Sequence, residues 1–267
     1  MSEGRMTLQL LVAAMHKEPM ALAQEMQIDS DAIIVSQGEE YRYEELDFKG
    51  HTIRYFAMAE RGVGLSRNTS LLRADADISV FADEDIVYEQ GYARKILDAF
   101  ERYPQADLLL FNVQAAPGRE TYHTDSFGRV RWYNSGRYPT YSFAVRTRKV
   151  QDRNITFSLL FGGGARYSNG EDSLFLHDCL KAGLKVYKVP IQIGRETPGQ
   201  STWFQGYNEK FFYDRGVLYR YLYGWMAQIW ALRFVLAKRE EMCREIPWKQ
   251  AYRIMKQGIR KSNDGTE

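Results

Sequence analysis

Short apolar runs, set apart by stretches with helical character, constrain this chain more than any other feature. Leu8–Met15, Ala32–Ser36, Thr52–Met58, Ile78–Phe81 and Asp107–Phe111 are bounded by polar or turn-forming residues. Brief, nearly continuous apolar segments of this kind fit strands buried in a sheet. Between them lie helical stretches: about Met20 to Met26, the turn Gly62-Val63-Gly64 leading on through about Leu71, and Tyr92 to Tyr103, closed by Pro104. Strands alternating with helices predict an α/β fold with a largely parallel sheet. Residues 115–164 turn to Gly, Pro, Arg, Tyr and short β-like pieces such as Tyr141–Val145. They are expected to form an irregular or antiparallel extension covering one end of the sheet. A helix from Asp172 to Ala182, stopped by Gly183, should precede a strand over Leu184–Val189. The remainder, Tyr207 to Lys261, reads as mainly helical. The expected division is a catalytic α/β domain over residues 1–205 and a helical extension over 206–267.

Phe81-Ala82-Asp83-Glu84-Asp85 sets three acids directly after an apolar strand. In open α/β sheets ligands bind beyond the carboxyl ends of strands, and residues two apart on an extended backbone point the same way. Hard carboxylate oxygens at 83 and 85 suit Mg²⁺ or Mn²⁺, which can bridge diphosphate oxygens. The alternative is an acidic surface loop. A second informative stretch runs from Gly162-Gly163-Gly164 to Asn169-Gly170-Glu171-Asp172. Its acids open a helix, where they would at least complement the helix dipole.

The string Arg61-Gly62-Val63-Gly64-Leu65-Ser66-Arg67-Asn68, a strand ending in Asp83-Glu84-Asp85, and the later Gly170-Glu171-Asp172 resemble the family-2 glycosyltransferases. The resemblance extends from about Thr7 to Gln192. It implies a GT-A fold, a nucleoside-diphosphate sugar donor, a divalent metal and inversion at the anomeric carbon. On this resemblance Asp83 lies near the donor and Asp85 ligates Mn²⁺ or Mg²⁺, with Asp83 beside it. Arg67 and Asn68 sit beside the donor at a helix start, a setting suited to diphosphate. Asp172 would be the general base that takes the acceptor hydroxyl's proton, with Glu171 an acceptor-binding neighbour. The pattern also departs from the family. Ser36-Gln37-Gly38-Glu39 stands where Asp-Asp-Gly-Ser is usual, and Ala14-Met15-His16-Lys17 where Pro-x-Tyr-Asn is. Gln37 is a candidate for hydrogen bonds to a uracil edge, and a UDP-sugar is the favoured donor. Trp203, in a loop after the last strand, is a candidate acceptor contact or a packing residue.

Composition narrows the rest. A net charge of +2 spread along the chain argues against a general nucleic-acid binder. Cys179 and Cys243 have no metal-type spacing and fit a reducing, cytoplasmic setting. The run at Leu8–Met15 is too short to span a bilayer and has no signal-peptide cleavage pattern. Gly216–Ala237 is longer, but Arg220 and Arg233 would each cost about 2.5–3.5 kcal/mol near a bilayer centre. In the last helix Trp248, Tyr252, Met255 and Ile259 make an apolar stripe, with Lys249, Arg253, Lys256 and Arg260 beside it. That pattern fits either a helix on an anionic membrane surface or one docked on the core. A peripheral place at the inner face of the cell membrane would suit a glycan or lipid-linked glycan acceptor in surface-polysaccharide assembly. Rival readings are a nucleotidyltransferase, or a non-catalytic membrane-binding module on a decayed transferase fold.

Overall fold

The computed structural model describes residues 6–116, 122–197 and 206–261. In chain order its elements are β1 (Leu8–Met15), α1 (Pro19–Glu25), β2 (Asp31–Gln37), β3 (Arg42–Phe48), β4 (His51–Met58), α2 (Val63–Arg73), β5 (Ile78–Asp83) and β6 (Ile86–Tyr88). There follow α3 (Tyr92–Arg102), β7 (Leu108–Gln114), β8 (Gly128–Arg129), β9 (Phe143–Arg146), α4 (Thr147–Gln151), α5 (Glu171–Lys181) and β10 (Val186–Glu196). The chain closes with α6 (Glu209–Tyr223), α7 (Ala227–Ala237), α8 (Arg239–Met242) and α9 (Trp248–Lys261).

The strands form one ten-stranded sheet in the order β3-β4-β2-β1-β5-β9-β7-β10-β6, with β8 paired to β10. β4, β2, β1 and β5 run parallel to one another, as do β7 and β10. Alternate side chains of the buried strands feed opposite faces. Leu10, Val12, Ile34 and Val80 pack toward α1 and α3, whereas Leu11, Ile33, Val35 and Phe81 pack toward α2 and α5. The sheet is therefore a middle layer between helices, the α/β arrangement expected from the alternation of elements.

Several strands differ from expectation: β6 and β8 are not among the expected strands, and β10 runs from Val186 to Glu196, past the expected end at Val189. β9 does not cover an end of the sheet: it lies inside it, antiparallel to both β5 and β7. The segment 143–146 is short but wholly apolar at Phe143, Ala144 and Val145, all of which are buried. β3 pairs antiparallel with β4 through a two-residue turn at Lys49-Gly50, both with positive φ. Its charged residues hide the strand from an apolar pattern, and they suit an edge that must not recruit further strands.

The C-terminal helices gather around Phe212, Ala227, Ala231, Val235, Ala251, Met255 and Ile259. α6 and α9 cross at their glycines: a Cβ on Gly216 would lie 2.2 Å from the Met255 carbonyl oxygen, and one on Gly258 would lie 2.3 Å from that of Tyr213. Met255 and Ile259, half of the apolar stripe of α9, are buried in this cluster, with Trp248 and Tyr252 packed against it. The docked alternative thus describes that stripe, and it is not an outward membrane face. Gly224 divides the long apolar segment 216–237 into α6 and α7. No helix among the described residues is long and apolar enough to cross a membrane.

Candidate active site

The parallel strands β1, β2 and β5 end together, with Met15 in register with Gln37 and Ala13 with Asp83. Beyond this edge the two acidic motifs meet. Asp83 closes β5, and Glu171 and Asp172 open α5. Arg67, on α2 and only 4% exposed, joins them. Its Nη2 donates to Asp83 Oδ1 at 2.7 Å and its Nη1 to Glu171 Oε1 at 2.9 Å. Burial works against the guanidinium charge, but the fields of Asp83 and Glu171 outweigh it and raise the pKa above the ordinary arginine value. The guanidinium also lies 5.4 Å from the centre of the Phe157 ring.

Three further residues hold this clasp in place. The Gln37 side-chain amide donates to the Gly62 carbonyl and to Ser66 Oγ, and its oxygen accepts from the Gly62 N–H. Asn68 donates to the Phe157 carbonyl and accepts from the Phe157 N–H, pinning the segment before the glycine run to α2. Gly162, with φ of 106°, lies under the Glu171 carboxylate, where a Cβ would come within 2.8 Å of its carbon. Only glycine tolerates that backbone and that approach.

These contacts revise several sequence expectations. Gln37 is buried and its amide fixes the start of α2, so it does not present a free edge to a uracil. Asn68 is a clamp between α2 and residue 157. Arg67 joins the two motifs, each of its terminal nitrogens donating to a carboxylate. Glu171 accepts from Arg67 with one oxygen and from the Gly170 N–H with the other at 3.1 Å, which ties it into the scaffold of the site. Glu84 turns from its two neighbours and accepts from the Met15 N–H at the end of β1. Trp203 lies outside the described residues.

Asp172 is different. Burial, then the neighbouring Glu171 charge, push its carboxyl up to about 6 from the ordinary aspartate value, against the pull of the Ser173 N–H, Arg67 and Arg215. A carboxylate poised near neutrality can accept a proton from a reacting alcohol. Asp214, on α6 and 2% exposed, had no signal in the sequence. It accepts from the Ser168 N–H and Oγ, both at 2.9 Å, and from Lys210 Nζ. Two residues after Ser168, Gly170 lies against the Leu218 side chain of the same helix. α6 therefore braces the segment that leads into Glu171 and Asp172.

Asp83 and Asp85 carry carboxylate oxygens, the hard donor type that a divalent cation takes. Asp83 is a third exposed and meets Arg67 through Oδ1. The Asp85 carbonyl accepts from Thr197 N and Oγ1, tying the loop to the end of β10. Among the described residues no group of three or more His, Cys, Asp or Glu could hold a metal by itself. Mg²⁺ and Mn²⁺ at phosphate sites often take one or two carboxylates and complete their shells with substrate oxygens, so the donor chemistry of two aspartates suits such an ion.

No family model and no curated protein matches the chain by sequence. Solved structures match it by shape. Residues 1–349 of S. aureus TarS in complex with UDP-GlcNAc align with a TM-score of 0.65 at 13% identity, over 95% of this chain and 82% of that one. The TarS complex with UDP gives 0.59 at 14% identity, over 90% and 74%. The mannosyltransferase PcManGT from Pyrobaculum calidifontis, in complex with GDP-Man and Mn²⁺, gives 0.50 at 12% identity, over 99% and 77%. The sheet order, the helices on both its faces and these neighbours agree: the chain has the GT-A glycosyltransferase fold.

Proposed function

We propose that the protein is an inverting glycosyltransferase that moves a sugar from a nucleoside diphosphate to an acceptor hydroxyl. The observation that carries this reading is the Arg67 clasp, which joins Asp83 and Glu171 at the carboxyl edge of the sheet beside an Asp172 poised at about 6. The nucleotide sugars bound by TarS and PcManGT support the choice of donor, with a UDP-sugar favoured. Residues 1–205 would form the catalytic unit and 206–267 its helical extension.

Asp83 and Asp85 would hold Mn²⁺ or Mg²⁺ together with the donor diphosphate, and a bound cation offsets charge on the departing diphosphate. Asp172 accepts the proton of the acceptor hydroxyl as that oxygen bonds to the anomeric carbon. The bond from the anomeric carbon to the diphosphate oxygen breaks in the same displacement, which inverts the centre. Arg67 keeps both acidic motifs in register for this step, and α6 steadies Asp172 through Ser168 and Gly170. A glycan or lipid-linked glycan acceptor in surface-polysaccharide assembly is consistent with the reading.

The test is to incubate the protein with UDP- and GDP-sugars, Mn²⁺ and candidate glycan acceptors. Release of free nucleoside diphosphate with transfer is the expected result. Pyrophosphate as the product would instead identify a nucleotidyltransferase. Asp172→Asn should bind donor as the parent does and lose roughly 10²–10⁴-fold in transfer, the usual contribution of general base catalysis. Near-parental transfer by that variant would remove Asp172 from the mechanism.

A further inference from the structure

Two stretches of the sequence, residues 126–151 and 215–239, contain no Asp or Glu, yet carry six and five Lys or Arg respectively. The fold brings the Trp132-Tyr133 loop of the first against α7 of the second, while Arg146, Arg148 and Lys149 lie at the end of β9 and on α4, which packs toward α2. The Trp132 ring meets the Trp230 ring of α7 edge-on at 6.2 Å, with Tyr133 beside Trp132 and Tyr223 stacked on Trp230 at 4.9 Å. α7 buries Ala227, Ala231 and Val235 against the helical cluster and turns its other side outward. That outer side carries Ile229, Arg233 and Leu236, joined by Trp225 from the turn before the helix. Trp225 is 82% exposed, Ile229 66% and Trp132 50%. Large apolar side chains gathered this densely in the open mark an interaction surface.

We propose that this face, formed by the outer side of α7, Trp225 and the Trp132-Tyr133 loop, docks on an anionic lipid surface. Indole and phenol rings favour the boundary between headgroups and acyl chains, and protruding aliphatics enter it. The exposed Arg131, next to Trp132, and Arg233, on α7, are attracted to anionic headgroups, whereas Lys238 and Arg239 pair with Glu241 and Glu240. A second copy of the chain fits poorly, because self-pairing would set positive charge on positive charge. A soluble glycan would find few acceptors of its hydroxyl protons here, and nothing to hydrogen-bond at Ile229 or Leu236. Tyr221, exposed on α6 four residues before Trp225, meets the Phe161 ring at 5.6 Å, next to Gly162 under Glu171.

The test needs no sugar donor, so its failure leaves the transferase reading untouched. Full-length protein is sedimented with vesicles of phosphatidylcholine alone, and with phosphatidylglycerol added. Pelleting is expected only with the anionic vesicles and should weaken as salt rises. The double variant W225S/I229S, with its fold checked by circular dichroism, should partition roughly 10²-fold less, since it removes two apolar anchors. R253E/R260E on α9 should partition as the parent does. The proposal is overturned if the parent ignores anionic vesicles at low salt, or if W225S/I229S pellets unchanged. Loss of binding in R253E/R260E alone would move the contact to α9 and overturn it too. Self-association that disappears in W225S/I229S, without vesicle binding, would assign the face to a second copy.

Discussion

Asp172 and Arg67 are both charged groups in a crowded site, and burial acts on them in opposite senses. For Asp172 burial and the Glu171 charge favour the proton, and the carboxyl reaches about 6. Base catalysis needs the ionised form, so kcat/KM should fall about tenfold per unit as pH drops below about 6 and level off above it. A profile flat to pH 5, in the presence of saturating metal, would refute the assignment. The native state holds this proton more tightly than the unfolded chain, so the group's contribution to stability declines as pH rises from the usual aspartate range through 6. Arg67 keeps its charge because two carboxylates surround it. Arg67→Ala leaves the largely buried Glu171 without its cation and should cost about 3 kcal/mol, the lower end for a broken buried pair because Asp83 is partly exposed; urea unfolding measures it. Donor binding followed by calorimetry should vanish in EDTA and in Asp85→Ala, and equal affinity in EDTA and Mn²⁺ would end the metal-dependent reading. The acids were legible in the sequence because a strand end and a helix start are local features. What Arg67 does was not, since its partners Asp83 and Glu171 lie 16 and 104 residues away. Gln37 and Asn68 were likewise visible as polar residues at the right place, while the backbone groups that occupy their amides belong to segments 25 and 89 residues distant.

Strands and helices with an apolar period were readable, and those without one were not. β1, β2, β4, β5 and β7 follow from their buried side chains. β3 alternates exposed and half-buried residues that are mostly polar, so only its pairing with β4 reveals it. β9 offers four residues, and no local signal says that they enter the sheet between β5 and β7. In α9 the amphipathic period was plain, but a period states that one face is covered and not by what. The answer lies partly in two glycines. Gly216 and Gly258 let the backbones of α6 and α9 approach so closely that a methyl group on either would overlap a carbonyl of the other helix. Gly216→Ala and Gly258→Ala should each destabilise the helical cluster by about 1–3 kcal/mol through overpacking. Alanine raises intrinsic helix propensity at both positions, so a rise in thermal midpoint would show that the crossing is looser than this geometry.

At the scale of the molecule, the helical extension and the sheet meet at the proposed base. Asp214 holds Ser168, Leu218 covers Gly170, and Phe161 and Leu174 pack with Val217 and Leu218. The proposed donor side, by contrast, is built from β5, α2 and the end of β1, none of which belongs to the extension. Removing residues 246–267 takes away α9, which covers one side of α6, and leaves Phe212, Ala227, Ala231 and Val235 without much of their cluster. α6 then loses the support from which Asp214 and Leu218 hold the 168–172 segment. The truncated chain is expected to melt at lower temperature and to lose transfer much more than donor affinity. A point variant separates this coupling from simple unfolding. Asp214→Asn keeps the volume and leaves α9 in place, but removes the carboxylate that accepts two bonds from Ser168 and one from Lys210. If the brace positions Asp172, kcat should fall by as much as about 10²-fold, as small misplacements of reacting groups do, while donor affinity stays near the parental value. An unchanged kcat in Asp214→Asn, with the thermal midpoint lowered, would make the brace a matter of stability alone.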